Sequence, residues 1–220
     1  MRELAPGVRQ LGGLLPNVIN TYLLDDVLVD AGSRFDGRKI LRELRGHAVR
    51  AHALTHAHPD HQGSSHRVCT TFGVPVWVGE HDADAAEDPR LIGRRQPRHP
   101  IAQASYRLFT GPAHPVDRRL SEGDEAGGFQ VLDTPGHSAG HVAFWRESDR
   151  VLVLGDVLCN MDTLTLRPGL QLPTDSYTPD PARNRESARR LGPLRPALVC
   201  FGHGAPLRDP DAFEAFCAQV

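Results

Sequence analysis

The sequence predicts a mixed α/β (α+β) chain folded as a four-layer αββα sandwich, and three observations carry that expectation. Strand-like runs are followed by helix-like runs in the first half of the chain, and the same succession returns in the second half. Two mixed sheets, each burying one face on the other and one face under helices, satisfy that order. The chain has 220 residues, 40% of them hydrophobic, enough to fill such a core without disulfide staples.

The elements follow in chain order. Asn17–Leu24 (NVINTYLL) and Asp26–Asp30 (DVLVD) are short β-branched runs around Asp25-Asp26, a hairpin closed by Ala31-Gly32. Ile40, Leu41 and Leu44 give Phe35–Leu44 one apolar helical face, which Gly46 ends. Val49–Leu54 reads as a strand, His61–Phe72 as a helix, Val74–Val78 as a strand and His81–Ile92 as a helix. Gly93–Pro115 is rich in Arg and Pro and, apart from a helix at Ile101–Phe109, reads as a substrate-covering loop. Arg118–Leu120, Phe129–Asp133, His141–Trp145 and Val151–Leu154 are strands spaced by Gly, Ser and Asp turns, as in a meander. Asn160–Tyr177 is a long loop, Pro181–Leu191 an arginine-rich helix, Ala197–Phe201 a buried strand and Asp211–Ala218 a terminal helix. Residues 1–220 are expected to form one domain, with 93–115 as its insertion.

Composition excludes several classes. Asp plus Glu number 27 against 25 Lys plus Arg, a formal net charge of -2, without the basic footprint of a nucleic-acid binder. Charged residues make up 24%, far from a disordered mixture. No run of about 18 apolar residues occurs, and Met1–Gln10 has no signal-peptide core, so a cytoplasmic protein without a membrane partner is expected. Cys69, Cys159, Cys200 and Cys217 form no CxxC pair and are expected to be reduced and inert. Histidine, at 12, is the outlier.

The chemistry concentrates at strand ends. After Val49–Leu54 the chain reads THAHPDHQG, with His56, His58, Asp60 and His61 inside six residues. Alternate residues leaving a strand can point the same way, so His56 and His58 can ligate one ion while Asp60 and His61 face a second position. Phe129–Asp133 runs into TPGHSAGH, where a Pro-Gly turn presents His137. Val151–Leu154 runs into Gly155-Asp156, and a carboxylate at the end of a buried strand needs a cation or several donors. Ala197–Phe201 delivers His203 within Gly202-His203-Gly204. Alone, His137 reads first as an ordinary polar loop residue, whereas Asp156 reads equally well as a helix N-cap or turn aspartate and His203 equally well without a ligand role. Together the four strand ends supply five His and two Asp, a set that suits two zinc-type ions with open positions.

THAHPDHQG, TPGHSAGH, LGD and FGHG, in that order, resemble the metallo-β-lactamase-fold hydrolases, in particular their glyoxalase II-like branch. NTYLL and LVDAG near residue 20 and FGHGAP near residue 203 extend the likeness over almost the whole chain. The resemblance implies that His56, His58 and His137 hold a first metal, that Asp60, His61 and His203 hold a second, and that Asp156 bridges them. The metallo-β-lactamase fold is itself an αββα sandwich. The cofactors so implied are two divalent ions, zinc first, with iron or manganese as alternatives. A hydroxide between two cations is deprotonated near neutral pH yet attacks a carbonyl carbon, so no Ser or Cys nucleophile is needed. Asp60 is the residue expected to orient it.

The expected function is therefore dinuclear hydrolysis of a thioester, ester or lactone of a small metabolite. Within the same resemblance the alternatives are a mononuclear iron persulfide dioxygenase using the positions of His56, His137 and Asp156, and a β-lactamase. His61 and the lack of a cysteine ligand weigh against the lactamase. A scaffold that has lost its site is disfavoured by the intact ligand set. Glyoxalase II proper adds a C-terminal helical domain whose basic residues hold glutathione, and this chain ends soon after His203. His141 is a candidate for orienting a ligand, Tyr177 reads as loop packing, and Cys159 as a bystander. Arg94, Arg95 and Arg98 read as a solvated basic loop before an anion site. His47, His52, His66, His81, His99 and His114 match no ligand pattern. The substrate contacts are not specified, and the partners expected are a small molecule and a second copy of the chain.

Overall fold

The computed structural model describes residues 1–13, 15–88 and 90–220. A first sheet takes its strands in chain order: β1 (Arg2–Ala5), β2 (Val8–Leu11), β3 (Thr21–Leu24), β4 (Val27–Val29), β5 (Ala51–Ala53), β6 (Val76–Gly79) and β7 (Arg118–Leu120). The first four are antiparallel neighbours joined by short connections, whereas β4 to β7 are parallel. Parallel neighbours need crossovers. These are α1 (Gly37–Glu43), then α2 (Pro59–Gln62) with α3 (Ser65–Phe72), then α4 (Ala83–Glu87), α5 (Arg90–Arg95) and α6 (Pro100–Phe109).

The second sheet is built from β8 (Glu125–Ala126), β9 (Phe129–Asp133), β10 (Val142–Arg146) and β11 (Val151–Gly155). After β11 comes a separate two-stranded ribbon, β12 (Cys159–Met161) with β13 (Pro168–Gln171). Then α7 (Pro181–Leu191) leads to β14 (Leu198–Phe201), which adds parallel to β11, and α8 (Pro210–Gln219) ends the chain.

Alternation along β11 shows how the layers are made. Val151 and Val153 join the cluster between the sheets, with Val29, Ala53, Val131 and Phe144. Leu152 and Leu154 face the other way, onto Ala188, Leu191 and Phe213 of α7 and α8. A strand covered on both faces reads as an unbroken apolar run, as VLVL does. On the outer face of the first sheet, Leu23 and Leu28 pack with Ile40 and Leu44 of the α1 segment and Val68 of α3. Truncating Phe144, fully buried between the sheets, is expected to cost about 3–5 kcal/mol.

The αββα expectation holds, and several local ones change. The hairpin β1–β2 has no counterpart in the sequence reading, because its strands are only four residues each and Arg2, Glu3, Arg9 and Gln10 break their apolar pattern. Asn17–Asn20 stays outside β3, and the helix expected over His61–Phe72 is two helices. The break falls at Gly63, where a Cβ would come within 2.4 Å of Arg34 N. The helix expected over His81–Ile92 begins as a 3-10 turn at Glu80–Asp82 and is split between α4 and α5, with Pro89 outside the described residues. Arg118–Leu120 does not open a meander: it closes the first sheet beside β6. The loop expected at Asn160–Tyr177 contains β13 and the end of β12.

Candidate metal centre

Every residue singled out as a ligand arrives at one place. Ligand atoms lie within 4.8 Å of one another in three overlapping groups: His56, His58 and His137; His56, His61 and Asp156; and Asp60, His61 and His203. Asp156 Oδ2 stands 3.4 Å from His61 Nε2, 3.5 Å from His137 Nε2 and 3.1 Å from His203 Nε2. Asp60 Oδ2 is 3.3 Å from His203 Nε2. Two ligand atoms on one tetrahedral ion, at about 2.0–2.1 Å each, are about 3.3–3.4 Å apart. The spacing is that of ligands sharing an ion.

The far nitrogen of each imidazole is tied down, which aims the near one at the centre. His61 Nδ1 donates to Asp30 Oδ2 at 2.9 Å, His137 Nδ1 to Thr178 Oγ1 at 3.2 Å, and His203 Nδ1 to the Val18 carbonyl. His56 Nδ1 donates to Thr55 Oγ1 at 3.0 Å, and that hydroxyl donates to Asp30 Oδ2 at 2.9 Å. What remains is unsatisfied: Nε2 of His56, His61 and His137 and Oδ1 of Asp156 are buried with no hydrogen-bond partner. Buried polar atoms in proteins nearly always find one. Four orphans converging on a His/Asp cluster fit divalent ions, whose histidine ligands are oriented through the opposite ring nitrogen in this way.

His58 is the exception in detail. Its Nε2 lies 2.6 Å from the side-chain amide of Gln96, so its free nitrogen is Nδ1. A neutral imidazole ligating through Nδ1 carries its proton on Nε2 and needs an acceptor there. The orphaned Gln96 Oε1, brought to that position by rotating the amide, supplies it and gains a partner.

Electrostatics divides the cluster in two. Burial, reinforced by neighbouring imidazoles, holds His56 and His137 well below the usual histidine range. Burial likewise lowers His58 despite the Asp60 carboxylate. All three shifts favour the neutral imidazole, the form that can bind a cation. Burial also penalises the charged form of His61, but the carboxylates of Asp156, Asp30 and Asp60 outweigh it and push His61 up to about 10. His203 is raised in the same way by Asp156 and Asp60. Desolvation opposes ionisation of Asp156 and Asp60 too, yet the imidazoles of His203 and His61 keep both carboxyls well below their ordinary values. A neutral trio therefore sits beside a charged quartet, both held by the fold.

Three residues outside the sequence reading complete the frame. Asp30, with φ of 60°, receives Thr55 and His61. Asp82 accepts from Ala57 N at 3.1 Å, Ser138 Oγ at 2.5 Å and Gly140 N at 2.8 Å, and so joins the His56–His58 loop to the His137 loop. Gln96 reaches in from the connection between α5 and α6. The signal for Asp30 was available: it ends the apolar run of β4 as Asp156 ends β11. His141 accepts the Asp156 N–H at Nε2, 3.0 Å away, and donates from Nδ1 to Thr134 Oγ1 at 2.8 Å. Burial pushes it down to about 3, which keeps that acceptor free of a proton. Backbone room matters at two glycines. Gly155 has φ of +58°, and at Gly202 a Cβ would come within 2.0 Å of Asp156 Oδ1.

Beside the centre lies a cavity of about 240 Å³, with His58, Asp60, His137, Asp156 and His203 on its floor. Tyr177 and the buried Cys159 line it too. Tyr177 OH is 3.2 Å from Ser105 Oγ, and burial, then the Asp156 charge, raises the Cys159 thiol. Arg94, Arg95 and Arg98 are absent from its walls, and Arg95 donates instead to the His81 carbonyl.

The sequence model of the Metallo-beta-lactamase superfamily matches residues 14–203, spanning all seven of these residues. The chain belongs to that superfamily. The chain is similar to the Probable metallo-hydrolase YflN of Bacillus subtilis, 28% identical over 93% of this chain and 86% of that protein. TTHA1623, solved in a di-iron-bound form, is 31% identical, with a TM-score of 0.68 over 90% of this chain and 92% of its own. A Hydroxyacylglutathione hydrolase of Bdellovibrio bacteriovorus is 28% identical over 60% of this chain and 43% of that protein. No described helix is long and apolar enough to cross a membrane.

Proposed function

We propose that this metal-dependent hydrolase works with two divalent ions and cleaves a thioester, ester or lactone of a small metabolite. The observation that carries the reading is the pair of ligand sets, His56/His58/His137 and Asp60/His61/His203, meeting at Asp156 Oδ2 with orphaned nitrogens facing inward. A mononuclear iron persulfide dioxygenase needs only the positions of His56, His137 and Asp156, and leaves the second set without a purpose. Zinc is the first choice of ion, and the di-iron form of TTHA1623 supports iron as an alternative.

When bound, the ions supply a nucleophilic hydroxide at neutral pH and polarise the scissile carbonyl. The chain's own residues do the rest. Asp60, whose side chain is 29% exposed, is the ligand-set carboxylate turned most toward the cavity, within reach of a nucleophile's proton. Asp30, Thr55 and Thr178 hold the imidazoles in fixed tautomers, so that no reorganisation is needed during the reaction. His141 fixes the Asp156 backbone. From the α5–α6 segment, Gln96 reaches His58, and Tyr106 and Phe109 line the cavity, where their rings limit the approach of water.

The test is metal content per chain after purification without chelator, followed by turnover of S-lactoylglutathione, a neutral thioester, an acyl-homoserine lactone and a generic ester. Two ions and turnover of one substrate class are expected. A fully loaded protein that hydrolyses none of them overturns the reading.

A further inference from the structure

The wall of the cavity opposite the ligand residues is apolar, formed by Val18 and Ile19, Tyr106 and Phe109 of α6, and Leu164. Among the described residues lining the cavity there is no Lys or Arg, and the formally anionic side chains are Asp60 and Asp156 on its floor. A substrate tail carrying carboxylates would lie against this wall with no cation to replace its water, at a cost of several kcal/mol per buried charge.

The surface around the mouth continues the pattern. Single exposed apolar side chains are ordinary on a protein surface, but here they collect on the segments that build the cavity. Leu164 is 67% exposed and lies on the lining itself, and Leu166 follows it in the β12–β13 turn. Phe35, 56% exposed, packs edge-on against Phe109 with ring centroids 6.4 Å apart. Leu108 precedes Phe109 on α6, and Leu15 precedes Val18 and Ile19. The cavity, at about 240 Å³, is smaller than the about 300–1,000 Å³ usual for drug-sized ligands. It takes the reacting head and the start of a chain, whose remainder crosses this rim, where the exposed Arg34 guanidinium stacks 5.0 Å from the Phe35 ring centroid.

Building on the hydrolase reading, we propose that the substrate is an acyl thioester, ester or lactone whose acyl tail is aliphatic and uncharged. The hydrolysis adds water across the acyl bond, releasing the carboxylic acid and a thiol or alcohol. Val18, Ile19, Phe109 and Leu164 bind the tail.

Two measurements on the zinc-loaded protein test this. Calorimetric titration with amides from butanamide to octanamide is expected to show affinity rising about three- to fourfold per methylene, the about 0.8 kcal/mol of a buried CH₂. Adipamate, with a carboxylate at the far end of the chain, is expected to bind at least about tenfold more weakly than hexanamide. In steady-state kinetics, kcat/KM for neutral acyl thioesters is expected to climb with acyl length over the same range. The exposed-site variant Leu164→Asp is expected to lower the octanoyl-to-butanoyl ratio by about tenfold. A flat chain-length series, or tighter binding of adipamate than of hexanamide, overturns the proposal while leaving hydrolysis intact. A steep amide series in a loaded protein that turns over no acyl substrate supports the tail site and overturns the hydrolase reading instead.

Discussion

Asp82→Ala is the perturbation whose size the structure defines best. The Asp82 carboxylate is buried, 3% exposed, and accepts three hydrogen bonds, from Ala57 N, Ser138 Oγ and Gly140 N. Removing it strands two backbone N–H groups and a hydroxyl, each at about 1–3 kcal/mol. Relief of the buried charge's own desolvation returns part of that loss. Asp82, Ala57 and Ser138 line a second cavity of about 340 Å³, from which water replaces part of what the stranded donors lose. The net expectation is a loss of about 2–4 kcal/mol in the metal-free protein, measured by chemical denaturation. Ala57 lies between His56 and His58, and Ser138 adjoins His137, so the same change loosens the neutral trio. Zinc affinity, read by chelator competition, is expected to fall about 10- to 100-fold. Ser138→Ala removes one of the three bonds and is expected to lose about 1–2 kcal/mol, which keeps the argument testable if the alanine at 82 does not fold. An Asp82→Ala protein within about 1 kcal/mol of the parent, with unchanged zinc affinity, refutes this account of the clamp.

His56→Ala is expected to retain the fold, shown by circular dichroism, and to lose turnover by about three orders of magnitude. Wild-type rates in that variant contradict the ligand assignment. Metal loading at pH 7 is expected to release about three protons per chain, two from His61 and His203, because ligation needs the neutral imidazole, and one from the water that becomes the hydroxide. Calorimetry in buffers of different ionisation enthalpy measures them, and release of one or none refutes the charged quartet. In the metal-free protein, His61 has its folded value raised to about 10 from about 6.5 in the unfolded chain. Its contribution to stability is therefore complete below about pH 6.5 and lost as pH rises toward 10. Denaturation midpoints at pH 6 and pH 9.5 check the sign in wild type against His61→Ala. Gly202→Ala forces a Cβ to within 2.0 Å of Asp156 Oδ1 and 2.7 Å of His61 Cε1. Elemental analysis is expected to find fewer than two ions per chain in that variant.

The centre was legible in the sequence because its residues break a pattern. A polar side chain at the end of an apolar run is conspicuous, and His137, Asp156 and His203 all stand there. Asp30 and Asp82 stand at equivalent places after β4 and β6 and were passed over, since one aspartate beside a turn looks like any other until its partners are known. Gln96 carried no signal at all: its role comes from the path of the α5–α6 segment over His58. The same limit explains β7. RRL shows strand character but not which sheet it joins, and only the crossover through α4, α5 and α6 brings it beside β6.

Strand direction accounts for the convergence. β4, β5 and β6 are mutually parallel, so Asp30, His56 and Asp82 leave the first sheet at one edge. In the second sheet β14 is parallel to β11, and β9 shares that direction because both β9 and β11 are antiparallel to β10. His137, Asp156 and His203 therefore also leave together, at the carboxyl ends of their strands, where open α/β sheets place ligand crevices. The antiparallel strands between them return the chain to the opposite edge and add no ligand. Buried apolar faces hold the two sheets together on either side of this edge, and the cluster adds cohesion through Asp30, Asp82, the His203–Val18 hydrogen bond and the four-residue charge group. Much of the donor set is thus positioned by strand packing before any ion binds, and the orphaned nitrogens of His56, His61 and His137 are the cost of that preorganisation.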